Sequence, residues 1–374
     1  MWDDMKCKLL EILMPYKDII VGGDGRNDSP GFSARFCLYV AMDLLTNLII
    51  DMEVLDKRET GGDATNMERE GLTRILLRWM KQIDIGEIAT DASSSLMRRI
   101  SDLKAIHPQL KNMAHSLDVW HMSKRLTKKL HSLVDNKEGK ELKPWIEGKI
   151  NHFWHCCENA KGDEEKLKDS WLGILHHICD EHEWADSQCN HGPLQSAEPK
   201  QYLKKDSAVM EKLRSVVLDA KILNKLKYYT KFRHTGSIEN FNSMLTKYAP
   251  KRCAFDYPYF KCRMALAGID HNMHNSRPQA TTKDGQACFK RKYSKATRKF
   301  RVEPVKEQKE YSYVPYCLAK IVVDRQNHTG TVHERLARVP GDPKLISRNL
   351  DLVVKPPPTS NLIQERKSRM ETKK

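Results

Sequence analysis

Between Asp18 and Asp56 three apolar runs of strand length follow one another with almost no room between them: DIIVGGD (18–24), FCLYVAMD (36–43) and NLIIDMEVLD (47–56). The link Leu44-Leu45-Thr46-Asn47 is short enough for a hairpin. The first half of the chain therefore starts as an antiparallel meander. The period then changes. From Thr65 onward Leu72, Ile75, Leu76, Trp79, Met80 and Ile83 recur at threes and fours, which marks a helix over 65–82. A strand (86–91), a helix (93–106), a strand (112–118) and a helix (119–134) follow. The order β-β-β-α-β-α-β-α calls for an α/β fold, a mixed sheet with helices on its faces.

The rest of the chain is organised around that core. Residues 1–17 read as a short amphipathic helix and residues 18–138 as the first part of the core. Residues 139–231 carry helical spacing and no clear strand, with Trp145, Trp154, Trp171 and Trp184 as core, and read as a helical insertion. Residues 232–275 return to the core through a helix over 238–248. Residues 276–374 form a basic, partly disordered region, in which Tyr311 to Val323 reads as a hairpin or edge strand. The tail from Lys355, with three successive prolines, is expected to be disordered.

Composition narrows the class. No stretch approaches the ~18 apolar residues of a membrane helix, so no membrane span is expected. No charged-then-apolar leader opens the chain, which argues against secretion. Ten cysteines without framework spacing point to reduced thiols in the cytosol or nucleus. The net charge is +15, and residues 275–374 hold 23 Lys/Arg against 10 Asp/Glu, almost the whole excess. Its densest part contains Lys290, Arg291, Lys292, Lys295, Arg298 and Lys299, interleaved with Phe289, Tyr293 and Phe300. Such a run suits nucleic-acid phosphates and unpaired bases, or nuclear import. A solvated basic tail without a partner is the plainer alternative.

Three acids occupy special places. Asp24 ends the first predicted strand, Asp91 ends the fourth, and Glu239 lies in the first turn of the helix after the insertion. Strand ends of an α/β sheet are where sites assemble. Carboxylates gathered there need a cation, and hard oxygen ligands suit Mg²⁺ or Mn²⁺. Two such ions can drive phosphodiester hydrolysis. Each acid also has an ordinary explanation: turn chemistry for Asp24, a helix cap for Asp91, the helix dipole for Glu239.

The ordered set resembles the catalytic core of eukaryotic cut-and-paste DDE transposases, which have an RNase H-like fold. A second mark is Asp118-Val119-Trp120-His121 after the fifth strand, similar to the Asp-x-x-His motif of the Mutator, hAT and Kolobok-like groups. The stretches GDGRNDSPG (23–31) and FRHTGSIENFNSMLTKYAPKR (232–252) look like those of transposase-derived proteins, and the resemblance spans about residues 15–275. It implies that Asp24, Asp91 and Glu239 hold two Mg²⁺ or Mn²⁺ ions. Asp118 and His121 would support the site, and Arg26 would contact a phosphate. The implied reaction is hydrolysis of a DNA strand followed by strand transfer, by a homo-oligomer on DNA in the nucleus. Members of these groups usually carry a DNA-binding module before the core, and none is expected here, since the chain opens almost at strand one. A truncated or host-recruited protein that binds DNA without cutting it is the alternative, and a nuclease for RNA–DNA hybrids is a third.

The insertion also holds His176-His177-x-Cys179-x-x-His182 and Cys189-x-His191, enough for a structural Zn²⁺. Cys179, His182, Cys189 and His191 are the expected ligands, with His177 able to replace one of them. A His-rich helix end without metal is the alternative.

Overall fold

The computed structural model describes residues 1–29, 34–134, 137–184, 187–189, 191–192, 202–251, 253–295, 297–328, 330 and 357–365. Pro30 and Gly31 of the glycine-rich stretch, Arg252 of the second family-like stretch and Lys355 of the expected tail lie outside them.

Helix α1 (Trp2–Leu13) precedes strands β1 (Ile19–Asn27), β2 (Phe36–Asp43) and β3 (Ile49–Asp56). Then come α2 (Thr65–Trp79), β4 (Ile85–Thr90), α3 (Ser94–Ile106), β5 (Ala114–Leu117) and α4 (Val119–Val134). The helical excursion contains α5 (Ile146–Ala160), α6 (Glu164–Leu172), α7 (Ile174–His177), the short pair β6 (Glu183–Trp184) and β7 (Ser187–Gln188), α8 (Ala208–Val217) and α9 (Ala220–Leu223). The chain returns through α10 (Gly236–Tyr248) and α11 (Tyr257–His274). It continues into β8 (Phe289–Ser294), β9 (Lys299–Pro304), α12 (Tyr313–Gln326) and α13 (Thr359–Glu365).

The main sheet has the order β3-β2-β1-β4-β5. β1, β2 and β3 pair antiparallel, while β4 and β5 join parallel to β1. This is the expected mixed α/β architecture, an RNase H-like sheet with a helical insertion. Alternation along β2 explains the layers. Tyr39 and Ala41 face α2 and α3 with Leu72, Ile75, Leu76 and Trp79, whereas Phe36, Leu38, Val40 and Met42 face α10 and α11. A strand buried on both faces reads as a continuous apolar run, as 36–43 does. The insertion has its own core around Phe153, Trp171, Leu213 and Tyr229, continuous with Leu126 and Leu130 of α4. Trp171 is buried there, and Trp145 and Trp154 pack against that core only partly buried. Trp184 instead stacks on His176, ring centroids 4.8 Å apart.

Several expectations are corrected. β1 runs on to Asn27, so Asp24 lies within the strand, paired with Val40, and does not end it. The strand outlasts its apolar run because the polar residues Arg26 and Asn27 still find ladder partners in Leu38 and Cys37. The segment read as a hairpin or edge strand is helix α12. Its run Ile321-Val322-Val323 favours strand by composition, but among the described residues no strand pairs with it, and Pro315 in the first turn suits a helix start. The basic run is an ordered hairpin, β8–β9, and part of the expected disordered tail is α13. Helix α11 had no sequence expectation. None of the helices among the described residues is long and apolar enough to cross a membrane.

Candidate active site

Register puts the acids level. β1 and β4 run parallel with Gly22 opposite Ala89, so two residues further on Asp24 comes level with Asp91. β4 and β5 are parallel with Thr90 opposite Leu117, so Asp91 is followed across the sheet by Asp118. Three neighbouring strands thus present three carboxylates at one end.

Helix α10 supplies the fourth. Ile238, Phe241 and Leu245 are its buried stripe against the sheet. The helix approaches so closely that a Cβ on Gly22 would stand 2.8 Å from Ile238 Cδ1. Glu239 and Asn242 flank the stripe, one turn apart. Asn242 donates from Nδ2 to Asp24 Oδ2 at 2.6 Å, and Glu239 Oε1 lies 3.6 Å from His121 Nε2.

His121 is the hub. Its Nδ1 lies 3.0 Å from Asp91 Oδ1 and 3.1 Å from Asp118 Oδ2. The bonds to Asp118 and Asp91 push its pKa up to about 10 against the opposing effect of burial, so the ring is an imidazolium in the metal-free protein. Asp91, Asp118 and His121 have ligand atoms within 4.8 Å of one another.

Asp118, only 1% exposed, is a brace. Its Oδ1 accepts from the backbone N–H groups of Trp120 (2.6 Å) and His121 (3.4 Å), capping α4. Its Oδ2 accepts from the Thr235 hydroxyl and, at 3.2 Å, from the Thr235 N–H, just before α10. Burial pushes its pKa up, but the bonds from His121 and Thr235 outweigh it and hold the carboxyl below its usual range. Glu87 of β4 adds a second tie, accepting from Arg233 Nε and Nη2 at 3.0 and 2.9 Å.

Two members escaped the sequence reading. Glu68 of α2 approaches across Gly25, where a Cβ would meet its Cγ at 2.6 Å. Burial, then the charges of Asp24 and Asp91, raises its pKa to about 7. Burial and the charge of Asp91 likewise raise Asp24 to about 7, and burial raises Glu239. Asn242 is the other. Its position three residues beyond Glu239 was the available signal, since such pairs share a helix face; a glycine opposite Glu68 can be recognised only once the register is known.

Arg26 differs from expectation. It is 8% exposed, and its Nη2 has no hydrogen-bond partner among the described residues. The strand turns it into the protein on the face that α10 covers, so it does not present an open phosphate contact. The basic residues lie elsewhere. Lys290 and Lys292 share one face of the β8–β9 hairpin with Arg301, all near Glu303 at 3.8, 3.1 and 2.9 Å. The opposite face carries Arg291 and the exposed pair Tyr293–Phe300, ring centroids 5.1 Å apart. Lys295, Arg298 and Lys299 sit at the turn, Lys299 opening β9.

In the insertion, His177, His182, Cys189 and His191 have ligand atoms within 4.8 Å of one another. Cys179 is not among them. Two residues beyond His177, at the end of α7, it turns inward, where its Sγ lies 3.9 Å from Met210 Sδ.

Residues 17–193 match the family model for Mutator-like transposases. That stretch is similar to Mutator-like transposases. No curated protein and no solved structure matches the chain. The Mutator-like segment covers the meander, Asp24, Asp91, the Asp118–His121 motif and the Cys/His cluster of the insertion. Glu239 and the β8–β9 hairpin lie beyond it.

Proposed function

We propose that the protein is a DDE-type DNA strand transferase whose acidic site is Asp24, Asp91 and Glu239. One observation carries this reading: β1, the ends of β4 and β5 and the returning helix α10 bring the carboxylates of Asp24, Asp91, Asp118 and Glu239 to one site, where burial first and then the charge of Asp91 raise the pKa of Asp24 to about 7. Carboxylates buried beside one another in this way suit a cation that neutralises them. The donors are hard oxygens, which fit Mg²⁺ or Mn²⁺. When bound, two such ions supply an activated water and stabilise the leaving oxygen of a phosphodiester.

The residues of the chain divide the remaining work. Asn242 fixes the rotamer of Asp24 through its 2.6 Å bond. His121 spaces Asp91 from Glu239, and Asp118 holds His121 and the start of α10 in place. A cleft of about 750 Å³ between α2 and α3 is lined by Arg69, Arg98 and Arg99 together with Ser94, Ser95, Glu70 and Asp102. Those arginines would hold a DNA backbone against the acids. The β8–β9 hairpin adds a second basic surface with aromatics for unpaired bases, and the same run would direct the protein to the nucleus. Function as an oligomer on DNA belongs to the same reading.

The test is Mg²⁺- or Mn²⁺-dependent cleavage of duplex DNA by the wild type and by Asp91→Asn. Cleavage lost only in the variant supports the enzyme. Salt-sensitive DNA binding by both proteins, with cleavage by neither, favours the second reading, a recruited binding protein, which the exposed hairpin would serve. Preference for RNA–DNA hybrids over duplex DNA would turn the assignment to a hybrid nuclease.

A further inference from the structure

We propose that the insertion holds a structural Zn²⁺ on His177, His182, Cys189 and His191, a site separate from the acidic one. Local structure builds it. Helix α7 ends at His177, and Asp180 reverses the chain with φ 62°. β6 and β7 then pair, and the Cys189 N–H donates to the His182 carbonyl at 2.8 Å, setting those two residues side by side. His191 follows two residues later.

The spacing fits one ion. Tetrahedral zinc with Zn–N of about 2.05 Å and Zn–S of about 2.3 Å separates its ligands by about 3.3 Å for two nitrogens and about 3.6 Å for nitrogen and sulfur. His191 Nε2 lies 3.2 Å from His177 Nδ1, and Cys189 Sγ lies 3.5 Å from the same nitrogen. The three imidazoles stand mutually near-perpendicular at centroid distances of 5.0, 5.1 and 5.0 Å, so they converge on a point without stacking.

The outer nitrogens are engaged in the way metal-bound histidines require. His182 Nε2 faces Asp180 Oδ1 at 3.2 Å, and His191 Nδ1 faces the Gly192 carbonyl at 2.8 Å. That leaves His182 Nδ1, which is sealed from solvent and has no hydrogen-bond partner among the described residues. Hydrogen bonding within the cluster leaves this nitrogen unsatisfied; a metal satisfies it. With four protein ligands the ion has no open position, so its role is to pin His177, His182, Cys189 and His191 to one another beside the insertion core.

Zinc per chain, measured by mass spectrometry on the full-length protein after EDTA-free dialysis, tests this. About one equivalent is expected in the wild type and in Cys179→Ser, and less than a tenth of one in Cys189→Ser and His182→Gln. In the intact wild type, alkylation of Cys189 should be blocked until a chelator is added, which keeps the test valid if a variant fails to fold. Cobalt in place of zinc should give the absorption of a tetrahedral thiolate site. A zinc-free wild type, zinc kept in Cys189→Ser but lost in Asp91→Asn, or Cys189 alkylated equally fast without chelator would each overturn the proposal. None of these readouts depends on DNA cleavage.

Discussion

Replacing Asp24 by asparagine should make the metal-free protein more stable while removing its response to Mg²⁺. The Asp24 carboxyl rises from 3.8 to about 7 through burial and the charge of Asp91. The ionised form is therefore the disfavoured one in the fold. Its penalty begins as pH climbs past the unfolded value and is complete above about 7. Three pH units at 1.36 kcal/mol each give ~4 kcal/mol. Partial exposure of the site and water screening reduce this to about 2 kcal/mol. The Asp24→Asn change removes the charge and keeps an oxygen to accept from Asn242 Nδ2, so most of that amount is recovered. At 2–4 °C per kcal/mol for a domain of this class, the melting temperature in EDTA at pH 7.5 should rise by roughly 4–8 °C. At pH 5 the gain should shrink to about a third, because the wild-type carboxyl then keeps its proton. Mg²⁺ titration followed by thermal melting provides the second arm. The wild type should gain stability with the logarithm of Mg²⁺ concentration, and the variant should gain little. A variant that melts lower in EDTA and answers Mg²⁺ like the wild type would refute the argument.

Other outcomes follow from the same geometry. Asp118→Asn turns a carboxylate that accepts from the Thr235 hydroxyl and three backbone N–H groups into a partial donor, so it should cost about 3 kcal/mol, read by urea unfolding, and misplace α10. His115 is held near 4 by burial, so stability tied to its neutral form is present above 6.5 and lost as pH falls toward 4. His115→Phe should lose on the order of 2 kcal/mol less than wild type between pH 7.5 and 4.5, by denaturant melts at both. Glu303 sits among Lys290, Lys292 and Arg301; Glu303→Gln should tighten DNA binding severalfold at low salt and steepen its salt dependence, measured by anisotropy.

How much of this was readable from sequence depends on what each element reports. The meander and the α/β alternation were legible because burial on one or both faces writes its period directly into the apolar pattern. Helix α11 was not. Its contacts run through Phe260, Met264, Ala267 and Gly268, the last opposite Trp2 and Met52, and small residues leave no apolar stripe. α12 misled because β-branched residues were read without knowing that, among the described residues, no strand pairs with them. At the candidate site Asp24, Asp91 and Glu239 stood out by position in the strand order. Glu68 of α2 did not, because its reach depends on the absent side chain of Gly25 on β1. The choice between His177 and Cys179 turned on the end of a four-residue helix, where two positions face opposite ways.

The excursion that leaves the sheet through α4 and returns before α10 is clasped at its base. Val119 N–H donates to the Arg233 carbonyl at 3.0 Å, Arg233 grips Glu87, and Thr235 closes on Asp118. A segment anchored like this can lengthen, shrink or be exchanged with little change at the acids, since doubling a closed loop costs only ~0.6 kcal/mol. The clasp lets evolution vary what the excursion carries while the sheet and α10 keep the chemistry, and a nascent chain gains no complete site until residues past 239 have emerged and docked.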